Sequence, residues 1–218
     1  MDTPIVDTAR HYDLLIEEID DPVHPATDPF HDEGNMEAWM AQADNAAFYQ
    51  ALGDPHGKTM LEVGIGTGRV ARKVLDLGCA HLVGLDISAK TLARARENLA
   101  AYPQVELHLC SAESFVRENT FDCTYSAWTF FHIQDKRRAL ANIVQSLKPG
   151  GRLVLSLETV DEWLDYGSRK IHQFPIPIAQ YVDWLTDLGC TVAPVVTTND
   201  SFDDGLIFTI LRAEKPEA

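Results

Sequence analysis

Short runs of consecutive hydrophobic residues alternate along the chain with segments in which hydrophobic residues recur every three or four positions. A short continuous run is typical of a strand buried on both faces, whereas the second pattern predicts an amphipathic helix. The runs that predict strands occupy residues 59–63, 81–86, 105–109, 121–126 and 152–157. The helical patterns cover residues 67–77, 89–100, 135–147 and 177–188. This alternation predicts an α/β fold in which a mostly parallel sheet carries helices on both faces.

The C-terminal part of the chain predicts a change of strand direction. Residues 191–196 and 206–211 are hydrophobic, and the turn-rich segment 199–205 joins them. A link this short favours an antiparallel pair. We therefore expect a doubly wound, mostly parallel, seven-stranded sheet with an antiparallel terminal strand.

Three further segments flank the predicted core. Residues 1–33 are acidic and rich in proline, with a helical pattern at 12–19, so they form either a lid or a disordered linker. Residues 36–52 predict one helix that Gly53 ends. Its apolar stripe comprises Met36, Trp39, Met40, Ala43, Ala47 and Phe48. Residues 159–176 are a polar insertion, which we expect to cap a ligand cleft.

Three glycines, Gly64, Gly66 and Gly68, follow the first core strand directly. Glycine lets a ligand approach the backbone closely, because it has no Cβ and adopts positive φ. A dinucleotide-binding turn has its third glycine three residues after the second, where this chain has Arg69. This spacing, together with Glu62 at the strand end, disfavours a dinucleotide site.

Two segments resemble motifs of one enzyme family. Residues 61–68, Leu-Glu-Val-Gly-Ile-Gly-Thr-Gly, resemble the first motif of the class I S-adenosylmethionine-dependent methyltransferases. Residues 147–153, Leu-Lys-Pro-Gly-Gly-Arg-Leu, resemble the turn after a later helix of the same family. The resemblance covers about residues 59–158 and favours the small-molecule methyltransferases. It implies a Rossmann-like methyltransferase fold whose glycine loop holds the methionine end of S-adenosylmethionine.

Two predictions concern the nucleoside part of this cofactor. Asp86 ends the second core strand 22 residues after Gly64, where a βαβ unit brings a carboxylate to ribose hydroxyls. A helix cap is the alternative for Asp86, although Ser88 already offers that cap. The resemblance places Ser111 where the family often has an acidic residue that accepts from the adenine amino group. The full set of predicted cofactor-binding residues is Tyr12, Glu62, Gly64, Ile65, Gly66, Gly68, Asp86, Ile87, Ser111, Ala112, Glu113 and Ser126.

Residues 126–132, after the fourth core strand, are unusually aromatic. Open α/β sheets bind ligands at the carboxyl ends of their strands, so this segment is expected to face the reacting methyl group. A general base is needed only if the acceptor must lose a proton. His132 is the catalytic candidate, and a structural histidine is the alternative. We expect Phe130 and Phe131 to pack in the core. Weaker base candidates are Tyr12, Arg169 and His172.

Charge and composition narrow the possible partners. The formal net charge is −15, and residues 1–58 contain 13 acidic and 2 basic side chains. Such a field repels phosphate backbones, which argues against nucleic acid and weakly favours neutral or cationic small substrates. The four cysteines lack a Cys-x-x-Cys pair and the histidines lack ligand spacing, so we expect buried thiols and no metal site. Neither a leader nor a 20-residue apolar run is apparent, which predicts a cytoplasmic location.

The predicted function is methyl transfer from S-adenosylmethionine to an O, N or C atom of a small molecule, with S-adenosylhomocysteine as product. A non-catalytic cofactor-binding or interaction protein with the same fold is the alternative, and an NAD-dependent oxidoreductase is less favoured. We expect a monomer or homodimer with no membrane partner. The single predicted domain, 1–218, divides into an N-terminal extension 1–53, a cofactor-binding core 54–158 and a C-terminal part 159–218.

Overall fold

The computed structural model describes residues 3–21, 28–31, 38, 40–199 and 207–217. The helices are α1 (Thr8–Ile19), α2 (Ala46–Leu52), α3 (Arg69–Asp76), α4 (Ala89–Asn98), α5 (Lys136–Ser146) and α6 (Ile178–Asp187). The strands are β1 (Ile5–Val6), β2 (Thr59–Val63), β3 (His81–Asp86), β4 (Val105–Leu109), β5 (Phe121–Ala127), β6 (Leu147–Glu158), β7 (Trp163–Asp165), β8 (Lys170–His172), β9 (Thr191–Val192), β10 (Val196–Asn199) and β11 (Ile207–Glu214).

The main sheet has the strand order β10-β11-β6-β5-β2-β3-β4, and β9 pairs with the far end of β11. Strands β2 to β6 are parallel to one another, whereas β11 is antiparallel to β6 and β10 is antiparallel to β11. The mostly parallel sheet with an antiparallel strand at one side confirms the predicted fold class.

The predicted strand 191–196 is wrong in one respect, because it is two strands. Val192 lies opposite Ala213, and Val196 lies opposite Ile210. Three residues, 193–195, therefore lie opposite only two residues of β11, 211–212. Pro194 falls in this interval, and proline has no N–H to donate to a ladder. The extra residue therefore interrupts the pairing, and the short β9 makes this an eight-stranded sheet.

Each core strand contributes side chains to two hydrophobic clusters, one on either face of the sheet. Met60 and Leu61, neighbours on β2, belong to opposite clusters, as successive residues of a strand must. Helices α5 and α6 cover one cluster, and α2, α3 and α4 cover the other. The doubly wound arrangement explains why β2, β3 and residues 153–157 of β6 are mostly hydrophobic, whereas the edge strand β4 alternates.

The predicted helix 36–52 is wrong in its extent. Residues 41–44 form a turn, after which α2 begins. The Asn45 side chain accepts hydrogen bonds from the backbone N–H of Ala47 and Phe48, so it starts a new helix at this point. Phe48 is fully buried, as expected of the stripe. The predicted positions Met36 and Trp39 lie outside the described residues.

A second, three-stranded sheet joins the N-terminal segment to the 159–176 insertion. Strand β8 pairs with β7 as an antiparallel hairpin and with β1 in parallel, Ile5 opposite Lys170. Sequence patterns did not predict this sheet, because its strands are two or three residues long. No helix in the described ranges is long and apolar enough to cross a lipid bilayer.

Candidate active site

A cavity of about 1260 Å³ opens at the carboxyl ends of β2 to β6, beneath α1 and the second sheet. Its volume exceeds the roughly 300–1,000 Å³ of a typical small-molecule site, which leaves room for two ligands side by side. Eleven of the thirteen predicted site residues line it: Tyr12, Glu62, Gly64, Ile65, Gly66, Asp86, Ile87, Ser111, Ala112, Glu113 and His132.

Gly68 and Ser126 are not among the residues that line the cavity. Gly68 is the N-cap of α3, where a Cβ would lie 2.9 Å from the Leu99 side chain. The Ser126 hydroxyl donates to the backbone carbonyl of Val63 at 2.7 Å, which ties β5 to β2. The structure thus assigns packing and strand-tethering contacts to these two residues.

The glycine loop is anchored to the neighbouring strand and to Asp86. The N–H groups of Gly64 and Ile65 both donate to the carbonyl of Leu85 at 2.9 Å. The Gly66 N–H donates to Oδ2 of Asp86 at 3.0 Å. A Cβ on Gly66 would meet nothing within 4 Å, so the backbone here borders open space. A ligand can therefore approach the Gly66 backbone directly.

Asp86 is half-buried at the end of β3, and each of its carboxylate oxygens accepts a hydrogen bond from a backbone N–H beside the cavity. Oδ1 accepts from the Ser88 N–H at 2.9 Å, while Oδ2 accepts from Gly66. Burial raises the pKa of the carboxyl, and hydrogen bonds from Ser88 and Gly66 oppose that rise. An ionised carboxylate has about four acceptor positions, so both oxygens can still accept from vicinal ribose hydroxyls. Ser88 caps α4 as predicted.

Glu62 is a buried carboxyl group at the inner end of the cavity. Its side chain is 2% exposed and accepts a hydrogen bond from the Tyr125 hydroxyl at 2.9 Å. Burial raises the pKa of Glu62 to about 8, against a smaller opposing effect of the Tyr125 hydrogen bond. Without a bound cation, Glu62 is therefore substantially protonated at neutral pH.

We expect Glu62→Gln to flatten the pH dependence of stability. Because the pKa rises from an ordinary value of 4.5 to about 8, the folded state retains a proton that the unfolded state releases. The contribution of Glu62 to the free energy of unfolding is complete below pH 4.5 and is lost as the pH rises through 8. The free energy of unfolding in urea should fall more between pH 5 and pH 8 for the wild type than for Glu62→Gln. Glu97→Gln, at an exposed side chain, serves as the control. Equal pH dependence in all three proteins would contradict the buried-acid assignment.

Ser111 and Glu113 form a small polar group at the end of β4. The Ser111 hydroxyl lies 3.1 Å from both the Glu113 N–H and Glu113 Oε2, and Glu113 Oε1 accepts from the Asp135 N–H at 2.6 Å. The carboxylate is thus held beside the serine that occupies the family's acidic position. Both Ser111 and Glu113 line the cavity.

Helix α1 is fastened over the cavity by charged contacts to both sides. Asp13 accepts from the Ser88 hydroxyl at 2.7 Å and from the Lys90 N–H at 3.0 Å, so it docks α1 on the start of α4. Arg169, 3% exposed, joins the second sheet to α1: it forms an ion pair with Glu18 at 2.5 Å and donates to Nδ1 of His11 at 2.8 Å. The described part of residues 1–33 therefore packs over the cavity through α1.

Helix α1 meets the core of the protein at a pair of side chains, Tyr12 and His132. The Tyr12 hydroxyl lies 2.9 Å from Nε2 of His132, and the two rings pack edge to face. Burial lowers the pKa of His132 to about 3, with smaller contributions from His11 and Lys136. Burial also raises the pKa of the Tyr12 phenol. His132 is consequently neutral at pH 7, and its low pKa makes it a weak base.

The outer part of the cavity contains residues that the sequence patterns did not single out. Glu158 ends β6, and its carboxylate accepts from the Trp128 indole N–H. Arg69 also lines the cavity and forms a buried ion pair with Asp44 at 2.6 Å. Phe130 is buried as expected, but the expectation for Phe131 is wrong, because Phe131 lines the cavity. No periodic signal marks Glu158, which ends β6 after the mostly hydrophobic residues 153–157.

Comparisons with known proteins agree with this geometry. A family model described as a methyltransferase domain matches residues 61–155. The chain is 31% identical over 118 residues to phosphoethanolamine N-methyltransferase 2 of Caenorhabditis elegans, a match that covers 52% of this chain and 27% of that protein. The chain thus spans about a quarter of the length of this curated relative.

Two solved structures share the fold. The N-methyltransferase NodS from Bradyrhizobium japonicum, in complex with S-adenosyl-L-homocysteine, superposes with a TM-score of 0.67 at 19% identity, covering 94% of this chain and 98% of that one. The [4+2]-cyclase SpnF superposes with a TM-score of 0.74 at 16% identity over 100% of both chains. The likenesses confirm the Rossmann-like methyltransferase fold. They also show that this fold hosts more than one chemistry.

Proposed function

We propose that the chain is a member of the methyltransferase-domain family, whose model matches residues 61–155, and that it transfers a methyl group from S-adenosylmethionine to a small molecule. The observation that carries the proposal is one continuous cavity. The glycine loop and Asp86 line its inner part, and the aromatic residues of the lid line its outer part. A cofactor and an acceptor can therefore meet in one enclosed space.

The residues at the inner part fit this cofactor. The open backbone at Gly66 would accommodate the methionine portion, Asp86 would accept from the ribose hydroxyls, and Ser111 with Glu113 would meet the adenine. The cofactor would supply a methyl group activated by a sulfonium. Glu62 would become a buried negative charge if that cation were close to it, because a nearby cation favours the ionised form.

The protein's remaining contribution is positioning and exclusion of water. Methyl transfer from a sulfonium depends on holding donor and nucleophile near contact, which can supply much of the acceleration. Helix α1 and the second sheet cover the cavity, and Arg169 fastens them together. We assign His132 to orienting Tyr12 at the cavity wall. Proton removal by His132 is the weaker role, since its pKa is about 3.

The setting of the reaction belongs to the same proposal. The net charge of −15 argues against nucleic acid as the acceptor and supports a small molecule. A cytoplasmic location is part of the proposal. The curated relative acts on phosphoethanolamine, as its name states, and illustrates the size of acceptor that we propose. We further propose that residues 1–218 act as one methyltransferase domain, as a monomer or homodimer.

Calorimetric titration with S-adenosylmethionine, S-adenosylhomocysteine and NAD tests the proposed cofactor. We expect micromolar binding of the first two and none of NAD, since Arg69 replaces the third glycine of a dinucleotide turn. Binding of NAD alone would exclude the methyltransferase assignment. Binding of the first two without turnover across an acceptor panel would favour the non-catalytic alternative.

A further inference from the structure

The outer part of the cavity has aromatic walls. We use the name aromatic compartment for the region lined by Tyr12, Trp128, Phe131, Trp163, Tyr166 and Phe174. These residues come from α1, the segment after β5, and the β7–β8 insertion. Arg169 already lies over the Tyr166 ring at 4.5 Å, and Lys136 lies over the Phe174 ring at 5.5 Å. The rings of Tyr12, Trp128, Phe131 and Trp163 are the candidates to attract a ligand cation, because aromatic faces carry negative potential.

Carboxylates accompany these rings. Asp7, Glu158 and Asp161 line the same cavity, in addition to Glu62, Asp86 and Glu113 at the cofactor end. Acidic groups beside aromatic faces reinforce the preference for a positive ligand, because both contribute negative potential. The compartment therefore differs from a site built for a phosphate or a carboxylate.

The aromatic compartment holds little positive charge that could meet an anion. Among the described residues, the one lysine or arginine that lines the cavity is Arg69, which lies beside the glycine loop at the cofactor end; its Nη2 is ion-paired with buried Asp44, and its Nη1 has no hydrogen-bond partner. The residues outside the described ranges include neither lysine nor arginine in their sequence. Two histidines of the described residues line the cavity: His132 meets Tyr12, and His172 meets Glu162 at 3.1 Å. An anionic group buried in the aromatic compartment would lose its hydration without a lysine or arginine of the cavity lining to replace it.

Glu158 is held in a defined position within the compartment. The Trp128 indole donates to its Oε2, and the Trp128 ring packs edge to face on Phe208. Trp128 adopts φ of +57°, a left-handed conformation that costs a non-glycine residue on the order of 1 kcal/mol or more. Surrounding contacts thus hold Trp128 in a strained backbone conformation at the ligand-facing end of β5.

We propose that the aromatic compartment binds the methyl acceptor as an amine, with the nitrogen beside Glu158, and rejects acceptors that carry a phosphate or carboxylate. This inference rests on the proposed function and specifies its substrate class. It separates this chain from its curated relative, whose named acceptor, phosphoethanolamine, bears a phosphate. The selectivity follows from attraction of a cation or N–H donor to Glu158 and from unmet hydration of an anion.

A matched pair of probes tests the charge preference. Tyramine and 4-hydroxyphenylacetate share a phenol and a short side chain but end in an ammonium and a carboxylate, respectively. In calorimetric titrations of protein saturated with S-adenosylhomocysteine, we expect tyramine to bind at least about tenfold more tightly. Phosphoethanolamine should give no heat at millimolar concentration. Equal or reversed affinities, binding of phosphoethanolamine, or absence of tyramine binding would overturn the proposal.

Two variants test the role of Glu158. Glu158→Gln should reduce tyramine affinity at least about fivefold and narrow the preference over 4-hydroxyphenylacetate, because it removes the charge. Asp165→Asn, at an exposed carboxylate of the same insertion that is outside the cavity lining, should leave both affinities unchanged. Equal preference in Glu158→Gln and wild type would exclude Glu158 as the selecting residue. Thermal unfolding of each variant establishes that it is folded.

The proposed function and the proposed preference for an amine can be refuted separately. If S-adenosylhomocysteine does not bind, the proposed function falls, and the probe titrations on the unliganded protein still report the charge preference. If S-adenosylhomocysteine binds but 4-hydroxyphenylacetate binds more tightly than tyramine, the cofactor assignment is supported and the amine assignment is refuted.

Discussion

Asp86→Ala is expected to weaken S-adenosylhomocysteine binding by about 1–3 kcal/mol, which raises Kd roughly 5- to 150-fold. Under the proposed function, the substitution removes the acceptor for the ribose hydroxyls. It also removes the acceptor that holds the Gly66 N–H at 3.0 Å and the Ser88 N–H at 2.9 Å. Part of the loss therefore comes from a looser glycine loop.

A pair of nucleosides separates these two causes. Wild type should prefer adenosine over 2′,3′-dideoxyadenosine, and Asp86→Ala should lose that preference if the carboxylate meets the ribose. Asp122→Ala serves as the control, because Asp122 also anchors a backbone N–H, that of Thr59 at 2.8 Å, but lies at the start of β5. It should retain full affinity for S-adenosylhomocysteine. An unchanged preference for adenosine in Asp86→Ala would remove the ribose role and leave loop anchoring.

Gly64→Ala is expected to destabilise the fold by about 2–4 kcal/mol, a large effect for one methyl group. Gly64 has φ of +74°, and a Cβ would lie 2.2 Å from Oγ1 and 2.8 Å from Cβ of Thr129. The clash involves the root of the threonine side chain, so a rotamer change does not relieve it. Either β2 or the segment after β5 must move, and both carry cavity residues.

Gly66→Ala provides a matched comparison at the same loop. Gly66 also has positive φ, at +58°, but its Cβ would meet nothing within 4 Å. We expect a stability cost of only about 1–2 kcal/mol from the backbone conformation, together with loss of cofactor affinity, because the methyl group enters the cavity. Urea unfolding and calorimetry measure the two effects. The double variant Gly64→Ala/Thr129→Gly should recover the part of the lost stability that comes from the clash and leave the cost of the backbone conformation. Failure to recover any stability would mean that the contact with Thr129 is not a cause.

The motif-bearing part of the site was predictable because it is local in the chain. Strand β2, the glycine loop and the start of α3 follow one another within 20 residues, and the Asp86 contact to Gly66 spans only 20 positions. Hydrophobic runs and glycine spacing carry that information directly. Gly68 and Ser126 show the limit of motif reasoning, since each belongs to the right segment but points away from the cavity.

The sequence by itself determined the fold class, the resemblance to the methyltransferase motifs and the carboxylate at the end of β3, since patterns within short segments specify strands, turns and helix starts. The tertiary structure alone decided which segments cover the cavity and which side chains meet at its walls. Arg169 meets Glu18 across 151 positions, Tyr12 meets His132 across 120, and Trp128 meets Glu158 across 30. Such contacts depend on how the whole chain packs, because no local pattern records which distant side chains a fold brings within hydrogen-bond distance.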